Sequence, residues 1–285
     1  MISRFSKRVD VEDVDNPGTV IRCHIRANID SLVAGDRVAW RKTDEGSGVV
    51  EARHDRVTLV QRPDAAGRLR PIAANLNQIF IVLAPEPLPF MNLLDRYLVA
   101  AAYDGVDALI LLNKTDLDCS ALQTTLQIYS AIGYPLIHVS ATRGNGLDAL
   151  QEALRGRTSA FVGQSGVGKS SLISALLPNE DIRIGELSSA ESKGRHTTTT
   201  ARLFHLQDGG DLIDSPGIRE FGLSHLDAYE TASGFVEFRP FIGHCRFRDC
   251  KHADEPDCAI RHAVERGHIT EQRYNSYLLI ANGIE

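Results

Sequence analysis

The sequence predicts an α/β protein with three parts: an N-terminal β-barrel over 1–70, a central domain with a mostly parallel sheet over 71–225, and a C-terminal, mainly helical metal-binding domain over 226–285. Three observations predict this fold class. Short β-like segments separated by turn residues lie within 18–62, strands alternate with helices between 78 and 215, and three cysteines crowd around a histidine near the end of the chain.

Composition limits the possible classes of function. The chain has 285 residues, 43% of them hydrophobic and 24% charged, as expected of a globular protein. Its net charge of −6 argues against one uniformly basic nucleic-acid surface, although residues 1–70 hold 13 Lys and Arg against 11 Asp and Glu. No long apolar run and no secretory signal are evident, so we expect a cytoplasmic location and no membrane segment. We also expect a monomer.

The N-terminal segments GTVIRCHI, GDRVAWR, GSGVVEARH and RVTLVQR read as strands of a small barrel. An OB-fold is the natural candidate, because it closes its edges within such a length and often binds RNA. Trp40 is either a stacking platform for a base or part of the barrel core. The basic residues that could serve RNA binding are Arg22, Arg26, Arg37, Arg41, Lys42, Arg53 and Arg56.

The central domain is predicted from apolar strands followed by helices. The predicted strands are 78–84, 107–112, 135–141, 158–163, 203–206 and 211–215, and the predicted helices between them are 91–105, 119–132 and 146–154. Ligands of parallel α/β sheets bind at the carboxyl ends of the strands. The loops NKTD, SAT, GQSGVGKS and DSPG all follow such ends, so we expect them to meet at one edge.

The glycine-rich loop GQSGVGKS fits G-x-x-x-x-G-K-[ST] between a predicted strand and a predicted helix. Its glycines let the backbone curl so that N–H groups point at phosphate oxygens, and the helix adds its positive end. Lys169 would reach the outer phosphates, and the Ser170 hydroxyl would ligate Mg²⁺. The residues assigned to this phosphate site are Gly163, Gln164, Ser165, Gly166, Val167, Gly168, Lys169, Ser170 and Ser171.

Two further loops predict selection of guanine. NKTD fits N-K-x-D, in which the Asp116 carboxylate can accept hydrogen bonds from the guanine N1–H and exocyclic amine. Asn113 would hold the loop and the base edge, and the stem of Lys114 would lie along the ring. Ser140 and Ala141 of the SAT loop would contact guanine O6. A charged turn is the alternative reading of NKTD.

The catalytic side of the site is predicted from DSPG and the threonine-rich segment GRHTTTT. Asp214 would hold Mg²⁺ through water, and the Gly217 N–H would sense the γ-phosphate. A threonine, with Thr198 or Thr199 favoured, would complete the Mg²⁺ shell. Ile218 follows Gly217 where many GTPases carry a water-positioning Gln, so His196 is the candidate substitute, or else a solvated loop residue. The residues assigned to catalysis are Lys169, His196, Thr198 and Thr199.

The pattern C-x₄-C-x-H-x₅-C near the C-terminus supplies three thiolates and an imidazole, which suit a tetrahedral structural Zn²⁺. Reduced buried cysteines beside a surface histidine are the alternative. An odd count of five cysteines disfavours a disulfide framework. The predicted zinc ligands are Cys245, Cys250, His252 and Cys258.

The loops occur in the order NKTD, SAT, P-loop, threonine segment and DSPG, which is a rotation of the usual GTPase order. Domain termini often lie close together, so rejoining them and opening the chain elsewhere can preserve a packed fold.

This combination, with DSPGIREFG and C-x₄-C-x-H-x₅-C, resembles the circularly permuted, ribosome small-subunit-dependent GTPases known as RsgA, YjeQ or YloQ. The resemblance implies an OB-fold, a permuted GTPase domain with GTP and Mg²⁺, and a zinc domain. It also implies a late assembly factor that binds the 30S subunit and 16S rRNA. The ribosome would stimulate hydrolysis to GDP, hydrolysis would promote release, and His196 would be catalytic.

Two other functions remain open at this stage. One is a regulatory GTP-binding module with negligible turnover and a protein partner. The other is an RNA-binding zinc protein whose nucleotide site is vestigial.

Overall fold

The dominant feature of the fold is a single sheet of 11 strands that runs from the N-terminal region into the central domain. A separate two-stranded sheet and a set of helices pack around it. The structure is a computed structural model and describes residues 1–5, 7–43, 46–64, 66–178, 201–219 and 223–283.

The N-terminal strands are β1 (Ser3–Phe5), β2 (Arg8–Glu12), β3 (Val20–Ile25), β4 (Val38–Lys42) and β5 (Gly48–Arg53). They pair in the order β1-β2-β3-β5-β4, with β3 and β5 parallel and the other neighbours antiparallel. Small apolar side chains such as Val9, Cys23 and Val50 form the core that these strands share. Trp40 is half-buried and packs on that core, which favours its packing role over base stacking.

A hairpin of β6 (Leu59–Pro63) and β7 (Leu69–Ala74) connects the barrel to the central domain. It is fastened on the barrel side by the Ala74 N–H, which donates to Ala34 O at 3.0 Å, and by Asn75 Nδ2, which donates to Gly35 O at 2.9 Å. The predicted domain boundary at residue 70 falls inside β7, so the hairpin belongs to neither unit alone.

The central domain alternates strands and helices, as the sequence predicts. Its elements are β8 (Gln78–Leu83), α1 (Met91–Asp104), β9 (Asp107–Leu112), α2 (Ser120–Ala131), β10 (Leu136–His138), α3 (Leu147–Leu154), β11 (Thr158–Val162), α4 (Lys169–Leu176), β12 (Arg202–His205) and β13 (Asp211–Asp214). The strand order is β10-β9-β8-β11-β13-β12, and all neighbours are parallel except β12 with β13. Every residue of β8 is buried, as expected for a strand covered on both faces.

The C-terminal region is mainly helical among its described residues. It contains a short 3-10 helix (Pro216–Arg219), α5 (Ala228–Gly234), a second 3-10 helix (Val236–Phe238), α6 (Ala259–Glu265) and α7 (Glu271–Ala281). Helix α5 starts with a capping box, in which Asp227 Oδ1 accepts from the Glu230 N–H at 2.7 Å and Glu230 Oε2 accepts from the Asp227 N–H at 2.9 Å. None of the helices in the described part of the chain has the length and apolar content of a membrane span.

A buried ionic cluster around Arg273 fixes α7 against the central domain. The Arg273 guanidinium contacts Asp95 of α1 and donates to Glu237 Oε1 at 2.6 Å, and the side chains of all three residues are at most 7% exposed. Tyr129 of α2 donates to Asp95 Oδ1 at 2.7 Å, and the Phe235 ring lies 4.4 Å below the guanidinium. The cluster therefore joins two helices of the central domain to the C-terminal region.

We expect Arg273→Met to lower the free energy of unfolding by about 3–5 kcal/mol, because it leaves the carboxylates of Asp95 and Glu237 buried without their cation. Urea unfolding measures this loss. The control is Arg26→Met, which breaks the exposed Arg26–Glu51 pair and should cost no more than about 1 kcal/mol. Equal losses for the two variants would show that α7 does not depend on the cluster.

Candidate nucleotide and metal sites

The loops singled out in the sequence follow neighbouring strands at one edge of the sheet. Strands β8, β9 and β11 run parallel, so the loops after them emerge side by side. Strand β10 pairs parallel with β9, and β13 pairs parallel with β11. The sheet therefore brings together segments that are far apart in sequence.

Asn113 joins three of these loops through its buried carboxamide. Its side chain is 1% exposed, and Nδ2 donates to Val167 O of the glycine loop at 2.9 Å. Its Oδ1 accepts from the Ala141 N–H of the SAT loop at 3.2 Å. The NKTD loop, the SAT loop and the glycine loop are thus held by one side chain.

Two positions of the glycine loop require glycine. Gly168 has φ 92°, and a Cβ there would lie 2.4 Å from Asn113 Nδ2. Gly163 has φ 134°, and a Cβ there would lie 2.3 Å from Val82 O of the neighbouring strand. A larger residue would strain the backbone and push the glycine loop away from Asn113 and β8.

The glycine loop curls around the ammonium group of Lys169. Lys169 Nζ donates to Gly163 O at 2.6 Å and to Gln164 O at 2.7 Å. Helix α4 begins at Lys169, and no side chain caps its amino end at Gly168. Ser170 and Ser171 lie in its first turn and are half-buried. An uncapped helix start beside a lysine is the arrangement that accepts a phosphate group.

Asp116 is oriented by the SAT loop. Ser140 is fully buried, and its hydroxyl donates to Asp116 Oδ1 at 2.5 Å while accepting from the Arg143 N–H at 3.2 Å. The hydrogen bond from Ser140 holds the pKa of Asp116 below its usual value. The carboxylate therefore stays ionised near neutral pH, which suits it to accept hydrogen bonds from a base.

Sequence analysis missed the loop between β8 and α1. Lys114 Nζ donates to Glu86 O at 2.8 Å, and a Cβ on Gly166 would lie 3.4 Å from Pro87 Cδ. This loop thereby supports both the NKTD and the glycine loops. Its position after a buried strand, at the same edge as the other four loops, is the signal that could have found it.

The DSPG loop lies beside the glycine loop. The register Ser159↔Leu212 aligns β13 with β11, so Asp214 ends its strand next to the start of the glycine loop. A Cβ on Gly217 would lie 3.0 Å from Ile72 Cγ2 of the β6–β7 hairpin, and Ile218 is 1% exposed in the core. The predicted residues His196, Thr198 and Thr199 lie outside the described residues.

The four predicted zinc ligands meet in one cluster. The ligand atoms of Cys245, Cys250, His252 and Cys258 all lie within 4.8 Å of one another. His252 Nδ1 is 3.5 Å from both Cys245 Sγ and Cys258 Sγ, and these two sulfurs are 3.9 Å apart. Tetrahedral Zn²⁺ places such atoms about 3.5–3.8 Å apart, so the donor set fits that ion.

Helix α7 supports the loop that carries the cluster. Tyr274 Oη donates to His252 O at 2.7 Å, and Tyr277 Oη donates to Lys251 O at 2.7 Å. The Glu255 carboxylate accepts from the Lys251 N–H at 2.8 Å and from the Ala253 N–H at 2.9 Å. The histidine is therefore fixed in position by groups that are not themselves ligands.

Strand order, glycine loop and guanine-type loop together define a P-loop GTPase whose elements occur in rotated order along the chain. A family model described as RsgA GTPase matches residues 53–224. The small ribosomal subunit biogenesis GTPases RsgA of Chromohalobacter salexigens and Pseudomonas fluorescens are 55% and 53% identical over 99% and 97% of this chain. The matches cover 84% and 82% of those relatives. The chain belongs to the RsgA GTPase family.

Solved structures agree with this assignment. The crystal structure of YjeQ from Thermotoga maritima matches with a TM-score of 0.81 and 32% identity, covering 99% of this chain and 96% of its own. YloQ, a circularly permuted GTPase, matches with a TM-score of 0.75 and 26% identity, covering 99% and 93%. The predicted family, fold class and enzyme class, a GTP hydrolase, are confirmed.

We expect Asn113→Ala to lower the free energy of unfolding of the nucleotide-free protein by about 1–3 kcal/mol, because Val167 O and the Ala141 N–H lose a buried partner. Urea unfolding without nucleotide measures the loss. Asn282→Ala is the control, since its exposed Nδ2 donates to Leu278 O within the same helix end and its removal should cost much less. An Asn113 variant as stable as the control would mean that the three loops do not depend on this side chain.

Proposed function

We propose that this protein is a GTP hydrolase of small ribosomal subunit biogenesis, which binds the 30S subunit, is stimulated by it, and leaves it after hydrolysis. The observation that carries the nucleotide part is the contact of Asn113 with both the glycine loop and the SAT loop. Support for the ribosomal part comes from relatives that are named small ribosomal subunit biogenesis GTPases and are 53–55% identical.

Binding of GTP and GDP is proposed to use the loops around Asn113. The ionised Asp116 would accept hydrogen bonds from the guanine N1–H and amine, while the Ser140 hydroxyl keeps the carboxylate in place. Backbone N–H groups of the glycine loop would surround the phosphates. The residues proposed to contact the nucleotide are Asn113, Lys114, Asp116, Ser140, Ala141, Gly163, Gln164, Ser165, Gly166, Val167, Gly168, Lys169, Ser170, Ser171, Asp214 and Gly217.

Hydrolysis is proposed to need Mg²⁺ held by the Ser170 hydroxyl directly and by the Asp214 carboxylate through water, both of which are hard oxygen donors beside the glycine loop. Bound with GTP, the ion would neutralise charge on the phosphates. Lys169 would stabilise charge on the outer phosphates, and Thr198 or Thr199 would complete the Mg²⁺ shell. His196 would position the attacking water.

Contact with 16S rRNA is proposed to use local basic patches on the barrel and near the metal cluster. On the barrel, Arg26 and Arg41 are exposed and share Glu51, whereas Arg56 is mostly buried against Asp36 and serves the fold. We further propose the division into domains at 1–70, 71–225 and 226–285, a monomeric state and a cytoplasmic location with the ribosomal subunits.

A structural Zn²⁺ is proposed for the Cys245, Cys250, His252 and Cys258 cluster, because the separations of the ligand atoms fit tetrahedral coordination. The ion would fix the loop whose backbone carbonyls bind Tyr274 and Tyr277 of α7. Its role would be structural, since four protein ligands leave no open position.

For the function, we expect 30S subunits to raise the single-turnover rate of GTP hydrolysis.

We expect Asp116→Asn to weaken GTP binding by about 10- to 100-fold, because an amide cannot accept both hydrogen bonds from guanine. His196→Ala should keep nucleotide affinity but lose about 100-fold of the stimulated rate.

Hydrolysis that does not respond to 30S subunits would exclude the ribosome-stimulated mechanism and leave a regulatory nucleotide-binding module. Undiminished stimulated turnover in the His196 variant would remove its catalytic role. Unchanged GTP affinity in the Asp116 variant would place the guanine site elsewhere.

For the metal, we expect one zinc per chain by elemental analysis, lost in Cys258→Ala and retained in Cys119→Ala. Because metal binding supplies folding free energy, chelation should expose α7 to hydrogen exchange while leaving nucleotide affinity intact. Zinc retained in full by the Cys258 variant would contradict this ligand set.

A further inference from the structure

The N-terminal barrel meets the central domain at β12, which lies between β13 and β1 in the sheet. Strand β1 pairs antiparallel with β12 through the register Ser3↔Arg202, and the Leu203 N–H donates to Ile2 O at 2.9 Å. The strands overlap over only a few residues, so backbone pairing contributes little to the attachment. Side chains near this contact add to the attachment that Ala74 and Asn75 provide through their hydrogen bonds to the barrel.

His205, the last residue of β12, bridges the two units. Its Nδ1 lies 2.6 Å from Asp211 Oδ1 on β13, and its Nε2 forms a hydrogen bond with the Glu12 carboxylate on β2 of the barrel. Ionised carboxylates only accept hydrogen bonds, so the ring satisfies both when both nitrogens carry protons. The geometry is that of an imidazolium between two carboxylates.

The surroundings favour this charged state. Glu12 is 10% exposed, Asp211 31% and His205 55%, so the carboxylates are better shielded than the ring. Burial lowers the pKa of His205, but hydrogen bonds and charge from Glu12 and Asp211 outweigh it and raise the pKa above 6.5. Burial raises the pKa of Glu12, and hydrogen bonds from the Gly18 N–H and from His205 bring it below 4.5.

Other groups around the cluster do not take over the role of His205. Thr158 Oγ1 donates to Asp211 Oδ2 at 3.4 Å. The Met1 amino group is close enough to interact with both carboxylates, but it donates to Asp36 O at 2.7 Å and also faces the charges of Asp36 and Arg37. Every variant discussed below keeps Met1, so this amino group is present on both sides of each comparison at one pH.

We propose that His205 is a positioning residue that acts as a proton-dependent clamp between the barrel and the β12–β13 hairpin. This hairpin joins the threonine-rich segment to the DSPG loop, since β12 starts at Arg202 and β13 ends at Asp214. The barrel is thereby attached to the segment that connects two loops of the nucleotide site. The clamp stands on contacts outside that site and does not depend on the proposed function.

The pH dependence has a defined sign. A histidine whose pKa is raised by folding stabilises the fold fully below 6.5, and the effect is lost as the pH rises through its folded pKa. A glutamate whose pKa is lowered stabilises the fold above 4.5, and this is lost as the pH falls through its folded pKa. The clamp is therefore fully closed between about pH 4.5 and pH 6.5 and opens toward alkaline pH.

Hydrogen exchange of the β12 peptide in the full-length protein tests the clamp, because the Leu203 N–H reports the pairing with Ile2. We expect His205→Gln to speed this exchange about tenfold relative to wild type at about pH 6, and by less than about twofold at about pH 9. His138→Gln, on the exposed face of β10, is the control and should change nothing at either pH.

Two further variants, Glu12→Gln alone and Glu12→Gln combined with His205→Gln, test whether Glu12 is the partner of His205. If the two side chains act as one clamp, the double variant exchanges no faster than His205→Gln alone at about pH 6. Effects of the two substitutions that multiply would overturn the proposal. An equal effect of His205→Gln at both pH values would also overturn the proposal, because replacing a histidine with a purely structural role would have the same effect at any pH.

Discussion

The carboxamide of Asn113 is the contact on which the arrangement of this protein depends. It links loops that are 28 and 54 residues away along the chain. The link is spatial: β9 and β11 must flank β8, so that their loops emerge at the same edge, and Gly168 must leave room for Asn113 Nδ2. Neither requirement depends on the order of the strands along the chain. Rotation of the GTPase elements is tolerated because the nucleotide loops are positioned by the parallel sheet and by this one side chain.

Rotation determines where the other two units attach. With the chain reopened after the DSPG strand, the C-terminal region comes after that strand in the sequence and packs on α1 through Arg273. The N-terminal barrel instead adds its strands to β12, on the far side of β13 from the glycine loop. One unit is therefore attached to the helix that follows the Glu86 loop, and the other to the hairpin that ends at the DSPG loop. A change in the nucleotide site has a separate physical route to each.

The sequence predicted those parts of the fold that are encoded by patterns within short segments. The all-apolar run of β8 and the alternation of strands with helices predict the central sheet, and the motif spacing predicts which loops meet. Strand β1 was missed because it has only three residues and is defined by its partners. The burial of Arg273 could not be predicted, because a charged residue in an amphipathic helix is normally solvated. Its partner Asp95 also lies 178 residues away in the sequence. His205 was missed for the same reason, because its contact with Glu12 spans 193 residues.

The buried cluster around Arg273 combines a directional contact with a cost of burial. Removing one partner is costly, but replacing a whole buried ion pair with apolar residues is often neutral or favourable. Here Asp95 Oδ2 has no hydrogen-bond partner within the described part of the chain, and burial raises the pKa of Asp95, so the cluster retains some desolvation cost. An apolar contact would let α7 slide against α1, whereas a guanidinium that must meet both Asp95 and Glu237 fixes one docking position. The loop that carries the three cysteines and His252 is hydrogen-bonded to the tyrosines of that same helix, so this docking position also sets where the cysteine–histidine cluster lies.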